Sequence, residues 1–107
     1  MSKTPRLPVE SKKIAQLLKV LAHPLRLLIV CQLLSGEMFA QELLESLGTT
    51  KGNISQHLTI LLRQKIIRRR KDGKHNYYSI ADDNVHTLIQ TIKKLYCPNF
   101  IFPKSHP

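Results

Sequence analysis

Apolar residues fall along this chain in blocks, each with the spacing of a helix or the alternation of a strand. Ile14, Leu17, Leu18 and Leu21 stand at i, i+3, i+4 and i+7, which predicts a first helix over 11–22 with Ser11 as its cap. Pro24 occupies the place where proline favours the first turn of a second helix. Over 25–34 apolar residues cover nearly every face, broken by Arg26 and Gln32, as in a helix at the centre of a core. Ser35 and Gly36 end it. Phe39, Leu43 and Leu47, four apart, predict a short helix over 39–47 closed by Gly48. Thr49 or Thr50 caps the next, over 51–64, with Ile54, Leu58, Leu61 and Leu62 inward. Strand formers over 66–70 and 76–80 flank Lys71-Asp72-Gly73-Lys74-His75, and Asp-Gly between such runs marks a hairpin. Asp82 or Asp83 opens a last helix reaching Cys97, with Val85, Leu88, Ile89, Ile92 and Leu95 on its apolar side and Pro98 as its stop.

The expected fold class is mainly α, a winged helix-turn-helix of order α-α-α-α-β-β-α. Two short helices joined by a tight glycine turn make the helix-turn-helix, and the basic hairpin makes the wing. One domain over 11–97 lies between an N-terminal arm, 1–10, and a C-terminal tail, 98–107. The chain length of 107 residues suits a single core. Its longest apolar run, 27–31, is five residues, far short of the roughly 20 of a bilayer span. The first ten residues are polar with two prolines, so no secretory leader is read there. Two cysteines in such a chain point to reduced thiols and a cytoplasmic location.

Charge narrows the function. The net charge is +10, and residues 48–75 alone hold eight bases against one acid, while 36–47 hold three acids and no base. A local excess of this size attracts polyanions and makes binding salt-dependent. A major groove about 12 Å wide admits one helix whose polar residues read base edges. The residues placed to do so are Thr50, Lys51, Asn53, Ser55, Gln56, Thr59 and Arg63, with Gln56 suited to adenine. From the hairpin, Arg68, Arg70, Lys71, Lys74 and His75 would lie on phosphates or in the minor groove. Alternation turns Arg69 away from Arg68 and Arg70, and a basic strand edge also guards against aggregation. An enzyme is not expected, because the sequence has no phosphate-binding loop, dinucleotide fingerprint or nucleophile turn. No cofactor is read from the sequence.

Leu21-Ala22-His23-Pro24-Leu25-Arg26-Leu27, Gly36-Glu37, Glu42-Leu43, Leu47-Gly48, Asn53-Ile54-Ser55-Gln56-His57-Leu58, Asp72-Gly73-Lys74 and Tyr77-Tyr78 follow one another in order. The ordered set, spanning about 11–97, resembles the ArsR/SmtB family of winged-helix repressors. The resemblance implies a homodimer through the first and last helices, an imperfect palindromic operator in double-stranded DNA, and an inducer that releases it. Metal sensing, common in that family, is poorly supported. The stretch Met38-Phe39-Ala40-Gln41-Glu42 lacks the thiolates of the third-helix site. The last-helix zinc pattern falls on Asn84, His86, Cys97 and Phe100, of which only His86 and Cys97 could bind, whereas zinc takes four ligands. No metal site is therefore expected.

Two cysteines remain, Cys31 on the second helix and Cys97 at the end of the last. Free cysteine is often simply a small buried hydrophobe. The pair also resembles the dithiol branch of the family, BigR/SqrR-like and HlyU-like, which implies a switch in which a persulfide or oxidant joins the two thiols. Which cysteine attacks is open: Lys93 and Lys94 favour a thiolate at Cys97, and the helix C-terminus disfavours it. A metal-responsive repressor using His86 and Cys97 across a dimer, and a constitutive DNA binder without an inducer, are the alternatives.

Overall fold

The computed structural model describes residues 9–99. Helix α1 is Val9–Leu21, α2 is Pro24–Gln32, and a 3-10 turn, Leu33–Ser35, follows. Strand β1 is Met38–Phe39, α3 is Ala40–Leu47, α4 is Lys51–Arg63, β2 is Ile67–Asp72, β3 is His75–Ile80 and α5 is Asp83–Tyr96. The fold is mainly helical, with a small antiparallel sheet of order β1-β3-β2. Among the described residues no single helix is long and apolar enough to cross a membrane.

Helix α2 is central, packing on α1, α3, α4 and α5. Its Ile29 and Val30 are wholly buried. His23 caps it from the extended region, its Nδ1 accepting the Leu25 N–H at 3.1 Å, and Pro24 sits in the first turn, where no N–H is needed. Gly48 ends α3 in the left-handed region at φ 63°. Thr50 then caps α4, its Oγ1 accepting the Asn53 N–H at 3.2 Å. Ile54, Leu58 and Leu61 of α4 face the core as expected, while Leu62 is half-buried. His57 takes the remaining inward place. Asp82 caps α5 through the Asn84 N–H at 2.8 Å, and Val85 and Ile89 are buried.

Three expectations are corrected. Helix α1 already runs at Val9, so Ser11 lies within it, and Val9 and Glu10, assigned to the arm, are helical. Glu10 in the first turn suits the positive end of the helix. The rest of the arm, and all of the tail beyond Asn99, lie outside the described residues.

The sheet has a third strand, β1, pairing Met38 with Tyr78 and Phe39 with Tyr77. Two residues are too few to show alternation, so no pattern announced it. Phe39 consequently precedes α3 rather than opening it. Its ring lies against His75 and Tyr77 at 5.5 and 5.9 Å, and its N–H donates to the Glu42 carboxylate at 3.1 Å. The hairpin is tighter than the five-residue connection expected. Asp72 pairs with His75, leaving Gly73 (φ 62°) and Lys74 as the loop.

Three apolar residues of the predicted helix faces stand exposed among the described residues. Ile14 is 55% exposed, Leu18 48% and Leu95 69%. With Val9 and Tyr96 they leave an apolar surface on α1 and on the end of α5.

Candidate nucleic-acid interface and thiol pair

The expected reading residues share the outer side of α4. Thr50, Lys51, Asn53, Ser55, Gln56, Thr59 and Arg63 are all exposed, opposite Ile54, His57, Leu58 and Leu61. At 100° per residue Gly52, Gln56, Thr59 and Arg63 fall near the middle of the exposed arc, and Lys51 and Asn53 at its edges. Three members are already engaged. Thr50 is the cap, Asn53 Nδ2 donates to Thr49 Oγ1 at 2.9 Å, and Thr59 Oγ1 donates back to the Ser55 carbonyl at 2.9 Å. Ser55, Gln56, Lys51 and Arg63 keep their side chains toward solvent. An added Cβ at Gly52 would meet nothing within 4 Å, so the free chain has no steric need for glycine there.

The hairpin side chains Arg68, Arg69, Arg70, Lys71, Lys74 and His75 are exposed too. Register puts Arg68 opposite Ser79 and Arg70 opposite Tyr77, with Arg69 opposite the buried Tyr78. The expected split of the arginine run between two faces is therefore present, and Lys71 shares the face of Arg69. Arg70, expected on phosphate, is held within the fold. Its guanidinium donates to both Glu37 oxygens at 2.7 and 3.1 Å and lies 4.5 Å from the Tyr77 ring centre. The hydrogen bond from Arg70 holds the Glu37 carboxyl below its ordinary range and raises Arg70 in turn. Composition and spacing did not mark Glu37, which stands out only in the Gly36-Glu37 pair of the ordered motif set and as the first of three acids in 36–47.

Cys31 is half-buried on the side of α2 that meets α5, and Cys97 is exposed as the residue closing α5. The Cys97 N–H donates to the Lys93 carbonyl at 2.8 Å. Burial pushes the Cys31 thiol up, the nearby Cys97 pushes it further, and Lys93 draws it down. The two thiols of one chain thus lie within electrostatic reach of each other. His86 is engaged elsewhere, its Nε2 3.2 Å from the Leu34 carbonyl. Eleven residues of helix separate it from Cys97, about 16 Å, too far for one ion within a chain. Among the described residues no three potential metal ligands cluster.

The sequence model for bacterial regulatory proteins of the arsR family matches residues 23–69, from the cap of α2 through the start of β2. The biofilm growth-associated repressor of Agrobacterium fabrum is 33% identical over 93 residues, 87% of this chain and 80% of its own length. The chain belongs to the arsR family. Another member, the HTH-type transcriptional regulator YgaV of Escherichia coli, is 36% identical over 92% of this chain and all of its own. The structure of HlyU from Vibrio cholerae superposes with a TM-score of 0.81 at 34% identity, covering 83% of this chain and 97% of that one. Reduced HlyU superposes at 0.79, again at 34% identity, over 82% and 93%. Members of the arsR family are DNA-binding transcriptional regulators, not enzymes, and act as dimers. This chain is accordingly a transcriptional regulator of repressor type with a winged-helix fold.

Proposed function

We propose that this regulator is a homodimeric repressor whose hold on an imperfect palindrome is broken when Cys31 and Cys97 become joined. The observation that carries the switch is that Cys31 is half-buried on α2, the helix packed against α5, and that the exposed Cys97 closes α5 of the same chain. That HlyU is distinguished by a reduced form adds support from a relative. In this reading the outer side of α4 enters the major groove through Thr50, Lys51, Asn53, Ser55, Gln56, Thr59 and Arg63. The wing lies on the backbone through Arg68, Lys71, Lys74 and His75, while Arg70 fixes the wing to Glu37. The apolar surface of α1 and α5 is where the second copy sits.

The order of attack follows from the thiols' surroundings. Cys97 is exposed and meets the donor first. Its thiolate takes the outer sulfur of a persulfide R–S–SH, forming Cys97–S–SH and expelling R–S⁻. Cys31, whose thiolate Lys93 favours, is then the second nucleophile. The Cys31 thiolate displaces HS⁻ and closes the disulfide. With hydrogen peroxide the Cys97 thiolate takes one oxygen to become Cys97–SOH and expels hydroxide, and the Cys31 thiolate then displaces a second hydroxide to close the disulfide. A polysulfide donor R–Sₙ–R leaves sulfur atoms in the bridge by two displacements, each expelling a thiolate. The bond ties α5, which carries the dimer surface, to α2, on which α4 rests. Two α4 helices must reach grooves about 34 Å apart, so a small turn of one subunit against the other weakens binding.

The test uses a duplex that the reduced protein selects from a randomised library. Glutathione persulfide is expected to weaken binding by the wild type about 5- to 150-fold. Cys31→Ser and Cys97→Ser are expected to bind DNA and to lose that response. Intact mass of the treated wild type should show loss of two hydrogens or added sulfur. Release from both single variants would refute the thiol pair as the switch, and wild-type affinity indifferent to the persulfide would leave a constitutive binder.

Gly52 yields a second, independent expectation. Gly52→Ala should stabilise the free chain by up to about 1 kcal/mol, because alanine is the better helix former. In this reading the same Cβ stands between α4 and the groove, so DNA affinity should fall while the urea midpoint rises. Affinity that rises with stability would remove Gly52 from the interface.

A further inference from the structure

Neither the DNA face nor the thiol pair uses the charged cluster on the inner side of α4. His57 is 8% exposed there. The Nε–H of Arg26 donates to His57 Nδ1 at 3.2 Å, and Arg26 Nη1 donates to the Val20 carbonyl at 2.9 Å. The ring of His23 lies 4.3 Å from that of His57, centre to centre, and its own Nδ1 accepts the Leu25 N–H. One guanidinium on α2 therefore ties the last turn of α1 to the helix that faces DNA.

Each imidazole serves as an acceptor at Nδ1, so each is neutral with its proton on Nε2. A second proton on His57 removes the acceptor that Arg26 uses and sets a cation against a guanidinium. On His23 it removes the cap and sets a cation at the positive end of α2. Among the described residues no acid acts on His57 to offset this. The groups acting on His57 are His23 and Arg26. The other charges of α4, Lys51 and Arg63, are on its exposed side, and β2, packed on α4, carries Arg68, Arg69, Arg70, Lys71 and one carboxylate. That carboxylate, Asp72, is 3.7 Å from Arg70 at the far end of the strand. Burial, then His23, then Arg26 hold His57 below its ordinary value of 6.5.

We propose that Arg26, His57 and His23 form a proton-sensitive joint that sets the pose of α4 on α2, so that acidification weakens DNA binding. The proposal rests on the reading of α4 as the DNA-facing helix. Its sign is unusual. Protonating exposed histidines such as His75 adds positive charge and would tighten the hold on a polyanion. Here the unfolded chain takes up a proton near pH 6.5 and the folded joint does not. The joint's contribution is therefore complete above that pH and declines as pH falls toward the lowered folded value.

The test uses the full chain and a duplex that it selects from a randomised library at about pH 7.5. Anisotropy at fixed ionic strength is expected to show wild-type affinity falling about tenfold or more between about pH 7.5 and about pH 5.5. Circular dichroism of the same samples should show unchanged helix content. His57→Asn keeps an acceptor for Arg26 without a titrating ring. Referred to its own neutral value, its affinity should stay level or tighten on acidification. His23→Ser keeps a cap and should show a shallower fall than the wild type. Wild-type affinity that holds or tightens in acid, or a His57→Asn decline as steep as the wild type's, overturns the proposal. Proton NMR of the two rings in the free chain judges the joint apart from DNA, and a His57 that titrates at or above the ordinary histidine range also overturns it. A chain that selects no duplex at any pH, with His57 titrating low, identifies the reading of α4 as the part that failed.

Discussion

The double substitution Leu18→Glu with Leu95→Glu is expected to give a folded chain that sediments as a monomer and binds its duplex at least about 100-fold more weakly. Leu18 is 48% exposed and Leu95 69% exposed in the single chain. Replacing side chains already half in water costs the chain itself little, within about 0.5 kcal/mol each. If a second copy covers them, the same change buries a carboxylate against an apolar surface, which is far more costly. The monomer would then engage one half-site where the dimer engages two. In the dimer the second half-site is bound at the high effective concentration set by the first, and this advantage, about 10²- to 10⁴-fold, disappears. Sedimentation velocity, a urea melt and anisotropy on the selected duplex check the three parts. A variant that keeps the wild-type mass would show that α1 and α5 are covered by something other than a second copy.

The same two helices show where sequence reading reached its limit. Spacing predicted the stripe Ile14, Leu17, Leu18 and Leu21 correctly as a helix face, but periodicity says only that a face is apolar, not what covers it. Leu21 is 3% exposed, while Ile14 and Leu18 stand out in solvent. The caps were legible because each has a local chemical cause: Thr50 and Asp82 accept N–H groups of the helices they begin. Strand β1 was not legible, because its pairing with Tyr77 and Tyr78 comes from residues about 40 positions away. The partner of Arg70 was hidden for a related reason. A basic residue on a wing suggests phosphate, and only the fold brings Glu37, 33 residues earlier, into two-point contact with it. Nothing in the neighbours of His57 along the chain announces Arg26, 31 positions away.

The outer residues of α4 are not equivalent, and Gln56→Ala is expected to weaken binding far more than Asn53→Ala. Both carry amides able to pair with adenine in two places. The Asn53 amide already donates to Thr49 at 2.9 Å, at the rim of the exposed arc, so contact with a base would require it to leave that bond. Gln56 lies nearer the middle of the arc, with its side chain exposed. A two-point contact to a base is worth about 1–3 kcal/mol, and a dimer on a palindrome makes it twice, so Gln56→Ala should cost roughly 2–6 kcal/mol on the selected duplex. The cost should shrink on duplexes changed at the base pair that Gln56 reads, because that contact is then already lost. Removing a phosphate contact behaves otherwise: Lys71→Ala or Lys74→Ala should weaken binding to all duplexes alike and lower the slope of log affinity against log salt by about 0.9 per charge in each subunit. Anisotropy on the selected duplex, on single-base variants and over a salt series separates these outcomes. If Gln56→Ala weakens every duplex equally, or leaves affinity unchanged, α4 does not read bases through Gln56.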